Sequence, residues 1–380
     1  MSEGEAMSVR DLGGTEQATD RGDSGWEARL REAIARVAPG TQLRQGIDDI
    51  IRSHEGALIV IGHPDELSFL YSGGIRIDQP FTPQLVYELA KMDGAIVVDE
   101  TLTRIAYANV QLMPDPTIPS AETGTRHRTA ERVAKQTGVL VVSISQQRET
   151  VTIFVGPARY QLDPTFSVFA KANQALAALE TYRRRLDQVL TRLTALEFQG
   201  AAVLDDVLVV VQRGEMTVRM VREVERDIVE LGSEGRLIRA RLDELSALLP
   251  EELSAVVADY HASDDVFEQQ RALERLESLS HELLLEPETV AEGLGYPRGV
   301  SPLDTAVSPR GYRALSHVPR LPPAVIKRLV SELDGLEALA RASLRELEAV
   351  EGVGAVRARE IKEGLRRLQE HNLVERYLDL

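Results

Sequence analysis

Hydrophobic positions follow two different patterns along this chain of 380 residues. In residues 26–160, short runs rich in β-branched side chains alternate with segments whose apolar residues recur at helical spacing. This alternation predicts an α/β domain in which helices flank a central mixed sheet. The runs predicted as strands are Ala57–Gly62, Gly94–Asp99, Thr103–Leu112, Val139–Ser145 and Thr150–Val155, and the predicted helices are Trp26–Val37, Thr41–Ser53, Pro83–Met92 and Thr129–Thr137.

From about Phe169 onward the apolar spacing is helical. Within Lys171–Phe198, Leu179, Leu186 and Leu193 recur at intervals of seven and mark one face of a long amphipathic helix. Such stripes predict the core of an all-α bundle, and a coiled coil that binds a partner would show the same spacing. Further helices are predicted over Val207–Leu231, Gly235–Leu249 and Asp264–Leu285.

Prolines and glycines mark a boundary before the C-terminal segment. Residues 286–309 contain four prolines and three glycines, which is typical of a linker. After it, two units share one plan, a helix, a tight turn and another helix, with turns at Val318–Pro322 and Glu351–Gly354. This weak repeat predicts an all-α C-terminal domain. The predicted organisation is a disordered tail at 1–25, the α/β domain at 26–160, a helical domain at 161–309 and the paired-hairpin domain at 310–380.

The distribution of charge is more informative than the net charge of −16. Of the successive segments, only residues 310–380 hold more Lys and Arg than Asp and Glu, and the excess is slight. Strong nonspecific DNA binding by one copy is therefore not expected. The absence of cysteine excludes thiol catalysis, disulfides and Cys-ligated zinc, and it fits a reducing cytoplasm. The longest apolar run, Gly56–Gly62, is far too short to span a bilayer, so no membrane association is expected.

The segment Thr123–Arg132 has the composition of a phosphate site. Within it, Thr125 and Thr129 offer hydroxyls, and Arg126 and Arg128 offer planar guanidinium donors. The segment runs into a predicted helix, whose N-terminal amides and dipole favour anions. A triphosphate would be well held there, although an arginine-rich start of a solvated helix would have the same sequence.

Two further residues are candidates for metal or phosphate chemistry. Asp93 precedes Gly94 at a strand entry, where a carboxylate could bind Mg²⁺ or Mn²⁺ beside substrate phosphates. An ordinary turn would also use this pair of residues. His127 lies between two arginines that disfavour its protonation, which suits a metal ligand or a phosphate donor. A purely structural histidine is the alternative.

Four runs of sequence resemble the diadenylate cyclase domain. They are Glu88–Ile96, Ala108–Leu112, Glu122–Arg132 and Ser143–Gln146, and they occur in the order that the family shows. Together with the helical middle and the C-terminal hairpins, the chain from about residue 26 resembles the bacterial DNA integrity scanning family. The resemblance implies that two ATP molecules condense to cyclic di-AMP with release of two pyrophosphates. The 3′-hydroxyl of one ATP would attack the α-phosphorus of the other.

The resemblance also assigns roles to residues. Asp93 would activate the 3′-hydroxyl, directly or through a bound Mg²⁺ or Mn²⁺, and His127 would be a second metal ligand. The implied catalytic residues are Asp93, Arg126, His127 and Arg128, and the implied ATP-binding residues are Gly94, Leu112, Thr125, Thr129 and Ser145.

The twofold symmetry of the implied product predicts self-association. Two equivalent bonds form between two equivalent ATP molecules, so two copies that face each other across a twofold axis supply identical groups for both attacks. The resemblance implies a homo-octamer in which cyclase domains meet head to head.

The turn Glu351–Gly354 resembles the helix-hairpin-helix DNA-binding motif. Its glycines would leave backbone amides free for DNA phosphates. The implied DNA-binding residues are Gly352, Val353, Gly354, Arg357 and Arg359, with Lys362 beside them. The turn Val318–Pro322 is a degenerate partner, because Arg320 replaces the glycine region and its prolines lack N–H donors. Hairpins used only for packing would show the same pattern.

The leading hypothesis is a cytoplasmic, nucleoid-associated diadenylate cyclase whose activity responds to branched or damaged DNA, independently of DNA sequence. One rival is a DNA-binding scaffold whose cyclase-like domain senses ATP without catalysis, which the intact Asp93 and Arg126–Arg128 disfavour. Another is a nucleotide phosphoesterase, which the lack of a clustered His and Asp ligand set in the sequence disfavours.

Overall fold

The computed structural model describes residues 20–378, and side chains from residue 25 to residue 370. The chain divides into two compact units. The first comprises the residues up to Ala170 together with Arg226–Arg236, and the second comprises Lys171–Glu225 and the residues from Leu237 onward. The predicted tail at 1–25 lies outside the described residues up to residue 19, and a helix begins within its last part, at Asp20.

The first unit is built on an eight-stranded mixed sheet. Its strand order is β2-β5-β4-β1-β6-β7-β8, and β3 also pairs with β5. Among the described strands only β1 and β4 run parallel, and the other pairs are antiparallel. The strands are Ala57–Ile61 (β1), Tyr71–Ser72 (β2), Ile75–Pro80 (β3), Ala95–Val98 (β4), Arg104–Leu112 (β5), Leu140–Ser145 (β6), Thr150–Val155 (β7) and Ala158–Leu162 (β8).

Helices cover both faces of this sheet, which explains why β1 and β4 are buried along their whole length. Ile59 and Ile96 pack with α1, α2 and α3 on one face, whereas Leu58 and Val97 pack with α4 on the other. The predicted α/β class with a central mixed sheet is confirmed. The helices are Asp20–Val37 (α1), Gln42–Arg52 (α2), Pro83–Ala90 (α3) and Thr125–Thr137 (α4).

The second unit is helical, as predicted. Its hydrophobic residues form two clusters, one around Leu193 and Val207 and the other around Leu315 and Ile361. None of the described helices is long and apolar enough to cross a membrane. The remaining helices are Thr165–Gln199 (α5), Leu204–Leu231 (α6), Arg236–Ser246 (α7), Leu249–Tyr260 (α8), Val266–Ser278 (α9), His281–Leu284 (α10), Pro287–Gly293 (α11), Tyr312–Ser316 (α12), Pro323–Glu332 (α13), Gly335–Arg341 (α14), Leu344–Ala349 (α15) and Ala355–Leu378 (α16).

Several predicted helices are interrupted or displaced. The predicted helix Asp264–Leu285 is broken after α9, because the Ser280 side chain accepts a hydrogen bond from Leu283 N–H and starts α10. The segment after α7 ends with Leu248 at φ +63°, and α8 follows with a proline in its first turn. The predicted linker at 286–309 contains α11. Strands β2, β3 and β8 were not predicted.

Residues around the predicted boundary at 309 are tied to helices of the second unit. The Asp259 carboxylate accepts hydrogen bonds from the N–H groups of Gly311, Tyr312 and Arg313, at 2.7, 2.6 and 3.0 Å. Arg313 forms an ion pair with Glu197, and their side chains are only 6% and 1% exposed. The start of α12 is therefore fixed to α5 and α8 within this unit.

Arg313→Ala is expected to lower the free energy of unfolding by about 3–5 kcal/mol, because it leaves the Glu197 carboxylate buried without its cation. Arg341→Ala is a matched control, since Arg341 pairs with Glu337 at the surface, where both side chains are more than 70% exposed. Loss of such a pair costs about 0.5 kcal/mol. Denaturant unfolding followed by circular dichroism measures both, and equal effects would contradict the prediction.

Candidate functional site

A cavity of about 900 Å³ opens in the first unit at one edge of the sheet. Because β4 runs parallel to β1 and antiparallel to β5, and β6 runs antiparallel to β1, the starts of β1 and β4 meet the ends of β5 and β6 there. The volume lies within the range of small-ligand sites. All but one of the predicted catalytic and ATP-binding residues line it, namely Asp93, Gly94, Leu112, Thr125, Arg126, His127, Thr129 and Ser145.

The N-terminus of α4 opens into this cavity. Gly124 precedes the helix, no side chain caps it, and the first backbone bond into it runs from Arg128 N–H to Gly124 O at 2.9 Å. The N–H groups of Thr125, Arg126 and His127 therefore have no partner within the helix. Free amides and the positive end of the helix dipole make this wall of the cavity suited to an anion.

Arg126 is the guanidinium that reaches the cavity. Its Nη1 donates to Ile144 O at 3.4 Å, and the side chain is half-buried. The group also lies directly over the backbone of Gly56, because a Cβ added there would be 2.1 Å from Nη1. Glycine at residue 56 thus leaves the space that Arg126 occupies.

Arg128 does not line the cavity, in contrast to the prediction. Its Nε donates to Glu122 O at 3.2 Å and its Nη2 to Thr123 O at 3.4 Å. Because α4 already begins at Thr125, residues two apart point to different sides of the helix, and of Arg126 and Arg128 only Arg126 lines the cavity. Arg128 instead holds the loop that leads into α4.

Asp93 lies at the rim of the cavity, two residues before β4. Its side chain is exposed, and within the described part of the chain no hydrogen bond or ion pair engages its carboxylate. The adjacent Gly94 is packed so closely that a Cβ on it would lie 2.3 Å from the carbonyl carbon of Asn109. Only glycine allows this approach of two backbones.

His127 completes the group of titratable residues at the site. Its ring packs edge-on against Phe154, with centroids 6.5 Å apart. Burial lowers the pKa of His127, and the Arg126 guanidinium acts in the same direction. The imidazole is therefore neutral near pH 7, the form that binds a metal ion or donates one hydrogen bond.

The donors present fit a divalent ion that shares its coordination with a ligand. Among the described residues there is no group of three or more His, Asp or Glu that could hold a metal ion by itself. Asp93 and His127 line the same cavity, and an ion bound by both would have most of its coordination positions left for other oxygens. Mg²⁺ is commonly bound in this way, by one or two carboxylates together with phosphates and water.

Sequence reasoning missed several residues of the cavity wall. Asn109 and Gln111 lie within the motif Ala108–Leu112, but nothing in the sequence distinguished them from their neighbours. Gly73 and Gly74, with φ of +68° and +101°, form the turn between β2 and β3, which was not predicted. The additional lining residues are Leu58, Ser72, Gly73, Gly74, Ala95, Asn109, Val110, Gln111, Gly124, Gln146 and Gln147.

The turn between α15 and α16 presents a row of backbone donors. Gly352 has φ of +92°, and in the described chain the N–H groups of Gly352 and Gly354 have no acceptor. The first N–H groups of α16 follow directly. Val353, predicted as a DNA-binding residue, has its side chain 5% exposed in the core, and its N–H donates to Val350 O. Val353 therefore anchors the turn.

Basic side chains near this turn are partly engaged with the backbone. Arg357 Nη1 donates to Gly352 O at 2.6 Å, and Arg359 Nε donates to Ala355 O at 3.2 Å. Both side chains are exposed. Lys362 Nζ instead donates to Ala340 O and Ala342 O, at 2.7 Å each, so Lys362 has a structural role.

The turn between α12 and α13 repeats the same backbone plan. Arg320 has φ of +62° at the position that matches Gly352 in the other turn. Both turns place a buried valine, Val318 or Val350, two residues before this left-handed position. Pro322 stands where Gly354 would supply an N–H, so this turn offers fewer donors.

Comparison with known proteins gives one consistent result. The family described as DisA bacterial checkpoint controller nucleotide-binding matches residues 44–158, and the DisA bacterial checkpoint controller linker region matches residues 162–303. The DNA integrity scanning protein DisA of Carboxydothermus hydrogenoformans is 48% identical over 344 residues, covering 90% of this chain and 98% of that protein. The chain belongs to the DisA family.

Other DisA proteins agree with this assignment. The DNA integrity scanning protein DisA of Acidothermus cellulolyticus is 46% identical over 368 residues, covering 94% of this chain and 98% of that protein. The DisA nucleotide-binding match contains every residue that lines the cavity. Among solved structures, DacA from Staphylococcus aureus aligns with 36% of this chain and 88% of its own at 21% identity, with a TM-score of 0.26.

Proposed function

We propose that the cavity binds ATP and that the chain is a diadenylate cyclase, which condenses two ATP molecules into cyclic di-AMP and two pyrophosphates. The observation that carries the proposal is the position of the implied residues, which are distant in sequence but close together in the structure. Residues implied by the resemblance come from separate stretches of the chain, at 93–94, 112, 125–127, 129 and 145, and they line one cavity. Membership of the DisA family and the match to its nucleotide-binding model support the same conclusion.

The two sides of the cavity suit the two parts of the reaction. The N-terminus of α4 and Arg126 would hold the triphosphate and offset the charge that grows on the leaving pyrophosphate. Asp93 would accept the proton of the 3′-hydroxyl as its oxygen bonds to the α-phosphorus and the bond to pyrophosphate breaks. The Asp93 carboxylate is available for this step because no side chain or backbone group in the described part of the chain forms a hydrogen bond or ion pair with it.

A divalent cation, Mg²⁺ or Mn²⁺, is part of the proposal. Asp93 and His127 would hold it together with substrate oxygens. Bound there, the ion would polarise the phosphoryl group and neutralise phosphate charge.

The product requires two such cavities. One chain offers one Asp93 and one α4 N-terminus, whereas cyclic di-AMP contains two equivalent new bonds. Two copies that face each other would supply both sets. We propose a homo-octamer in which these sites meet in pairs.

Specific activity is expected to fall when the enzyme is diluted below the dissociation constant of the assembly, because each product needs two facing sites. The measurement is rate per protomer over a wide range of concentrations, with mass determined in parallel by light scattering. Added inert protein controls for loss on surfaces. A monomer that retained full activity would contradict the facing-site arrangement.

Gly56→Ala is expected to raise KM for ATP, because its methyl group takes the space of the Arg126 guanidinium. Arg126 can move away, so the fold should tolerate the change. Gly25→Ala is the control, since Gly25 also lies in the first unit and outside the cavity lining, has open space around it and does not have a positive φ. ATP titrations of both variants test this, and an unchanged KM in Gly56→Ala would remove Arg126 from ATP binding.

We further propose that the turn at Gly352–Gly354 binds DNA phosphates without regard to sequence and that branched or damaged DNA alters cyclase activity. Support comes from the free backbone donors of the turn and from the name of the relatives, DNA integrity scanning protein. A chain that works on chromosomal DNA would lie in the bacterial cytoplasm, at the nucleoid.

Incubation of the protein with ATP and Mg²⁺ or Mn²⁺, followed by mass analysis, tests the proposed reaction. Cyclic di-AMP and pyrophosphate in a ratio of one to two are expected. Recovery of unchanged ATP would indicate a scaffold that senses ATP, and release of ADP or AMP would indicate a phosphoesterase.

A further inference from the structure

Asn109 lies at an irregular point of the sheet beside the cavity. Ala95 pairs with Val110 and Val97 pairs with Tyr107, so β5 contributes one more residue than β4 between these pairs. The extra residue is a β-bulge, and Asn109 within it has φ of +53°. Asparagine tolerates this left-handed conformation better than most residues, and bulges of this kind re-aim side chains next to active sites.

The side chain of Asn109 holds the loop that carries the candidate carboxylate. Gly94 N–H donates a hydrogen bond to Asn109 Oδ1 at 3.1 Å. The two backbones are also in contact, as the steric restriction at Gly94 shows. Asp93, Gly94 and Asn109 all line the same cavity. Since no hydrogen bond or ion pair from a described residue holds the Asp93 carboxylate, its position depends on how the adjacent peptide is held.

We propose that Asn109 is a positioning residue for Asp93. The bulge fixes the backbone of Asn109, its Oδ1 fixes the Gly94 amide, and the peptide between Asp93 and Gly94 is thereby oriented so that the carboxylate faces the cavity. The role rests on the proposed cyclase function, in which Asp93 accepts a proton from the attacking hydroxyl. Asn109 acts through Asp93 and differs in this from the groups on α4, which would bind the triphosphate.

The test uses the full-length protein and the variant Asn109→Gly, which permits the positive φ and removes the acceptor. We expect kcat to fall by roughly 10²-fold, as a displacement of about 1 Å at a reacting group can cause, while the dissociation constant for ATP stays at its wild-type value. Asp78→Gly is the matched control. Asp78 has φ of +54° at a register shift on β3 and lies outside the cavity lining, so its kcat should not change.

The split between kcat and KM decides the outcome. A loss in kcat alone supports the positioning role, whereas unchanged kcat, or a loss confined to KM, overturns it. If the wild type forms no cyclic di-AMP from ATP, the proposed cyclase function is wrong, and the positioning role that rests on it is wrong as well.

A second variant covers the case in which Asn109→Gly melts well below the Asp78→Gly control. Asn109→Asp keeps an oxygen acceptor for Gly94 N–H and tolerates the same φ. Its kcat should exceed that of Asn109→Gly, although the added charge beside Asp93 keeps it below wild type. A kcat as low as that of Asn109→Gly would overturn the proposal.

Discussion

Asp93→Asn is expected to reduce cyclic di-AMP synthesis by at least ~10²–10³-fold while ATP still binds. Asparagine has nearly the same size and shape but cannot accept the proton of the attacking hydroxyl, and it is a poorer ligand for a cation. The proposed triphosphate contacts lie on α4 and do not involve this side chain. The rate and the dissociation constant for ATP, measured separately, should therefore change independently.

Glu88→Gln provides the control for Asp93→Asn. Glu88 is a nearby carboxylate on α3 that pairs with Lys91 at the surface and lies outside the cavity lining. Neutralising it changes net charge by the same amount without touching the site, so turnover should stay at the wild-type level. If Asp93→Asn also turned over at a near-normal rate, Asp93 would have no part in the chemistry.

The contrast between Arg126 and Arg128 shows where local sequence reasoning fails. In the sequence the two arginines flank His127 symmetrically, and a helix predicted from Thr129 leaves them in a loop where both could reach one ligand. The observed helix begins at Thr125. Successive residues then rotate around the helix axis, so Arg126 and Thr129 share a face and Arg128 does not. The position of one helix end thus decides which guanidinium can bind a phosphate.

The strands β3 and β8, which escaped prediction, lack the continuous apolar runs that mark β1 and β4. β3, with the sequence Ile-Arg-Ile-Asp-Gln-Pro, ends in proline and contains Asp78 at positive φ. β8 is a short strand at the edge of the sheet with polar residues among its members. By contrast, β1 and β4 are continuous apolar runs because helices cover both of their sides. A strand that is buried on both faces is therefore easier to recognise from its sequence than a strand at the edge of the sheet.

The assembly of the site depends on strand pairing that sequence does not reveal. Asp93, Leu112 and Ser145 were associated through family resemblance, and their proximity follows from the order of β5, β4, β1 and β6 in the sheet. The contact between Gly94 and Asn109 arises from a bulge, which a pattern of apolar residues cannot indicate. In the second unit, apolar spacing predicted helices well. The helix cap at Ser280 and the buried ion pair of Arg313 with Glu197 can be recognised only in the structure.

Gly354→Val is expected to abolish most DNA binding while basal cyclase activity stays unchanged. A Cβ at Gly354 meets no atom within 4 Å and the residue does not need a positive φ, so the hairpin should fold. The branched side chain would, however, cover the free N–H groups at the start of α16. A hydrogen bond to a charged group is worth roughly 1.5–3 kcal/mol, so loss of even one should weaken binding by about tenfold or more.

Gly352→Val serves to distinguish two causes of lost DNA binding. One is a side chain that blocks the backbone N–H groups, and the other is a turn that no longer folds. Gly352 has φ of +92°, and its Cβ would lie 3.2 Å from Val325 Cγ2, so valine there should strain the turn and lower the melting temperature. Both variants should have a lower affinity for DNA, but only Gly352→Val should have a lower melting temperature. Wild-type DNA affinity in Gly354→Val would show that the backbone of this turn is not the contact.

The same variant tests whether DNA controls the cyclase. One slightly basic hairpin should bind duplex DNA weakly, with a dissociation constant of ~10⁻⁴–10⁻⁶ M. In the proposed oligomer, several hairpins would raise the apparent affinity through effective concentration, most strongly for DNA that reaches two of them at once, such as a four-way junction. We therefore expect a junction to change the cyclase rate of the wild type at concentrations where a linear duplex of equal length has little effect. Gly354→Val should keep its full rate with either DNA, and equal responses of both proteins to both DNAs would show that the hairpin is not the sensor.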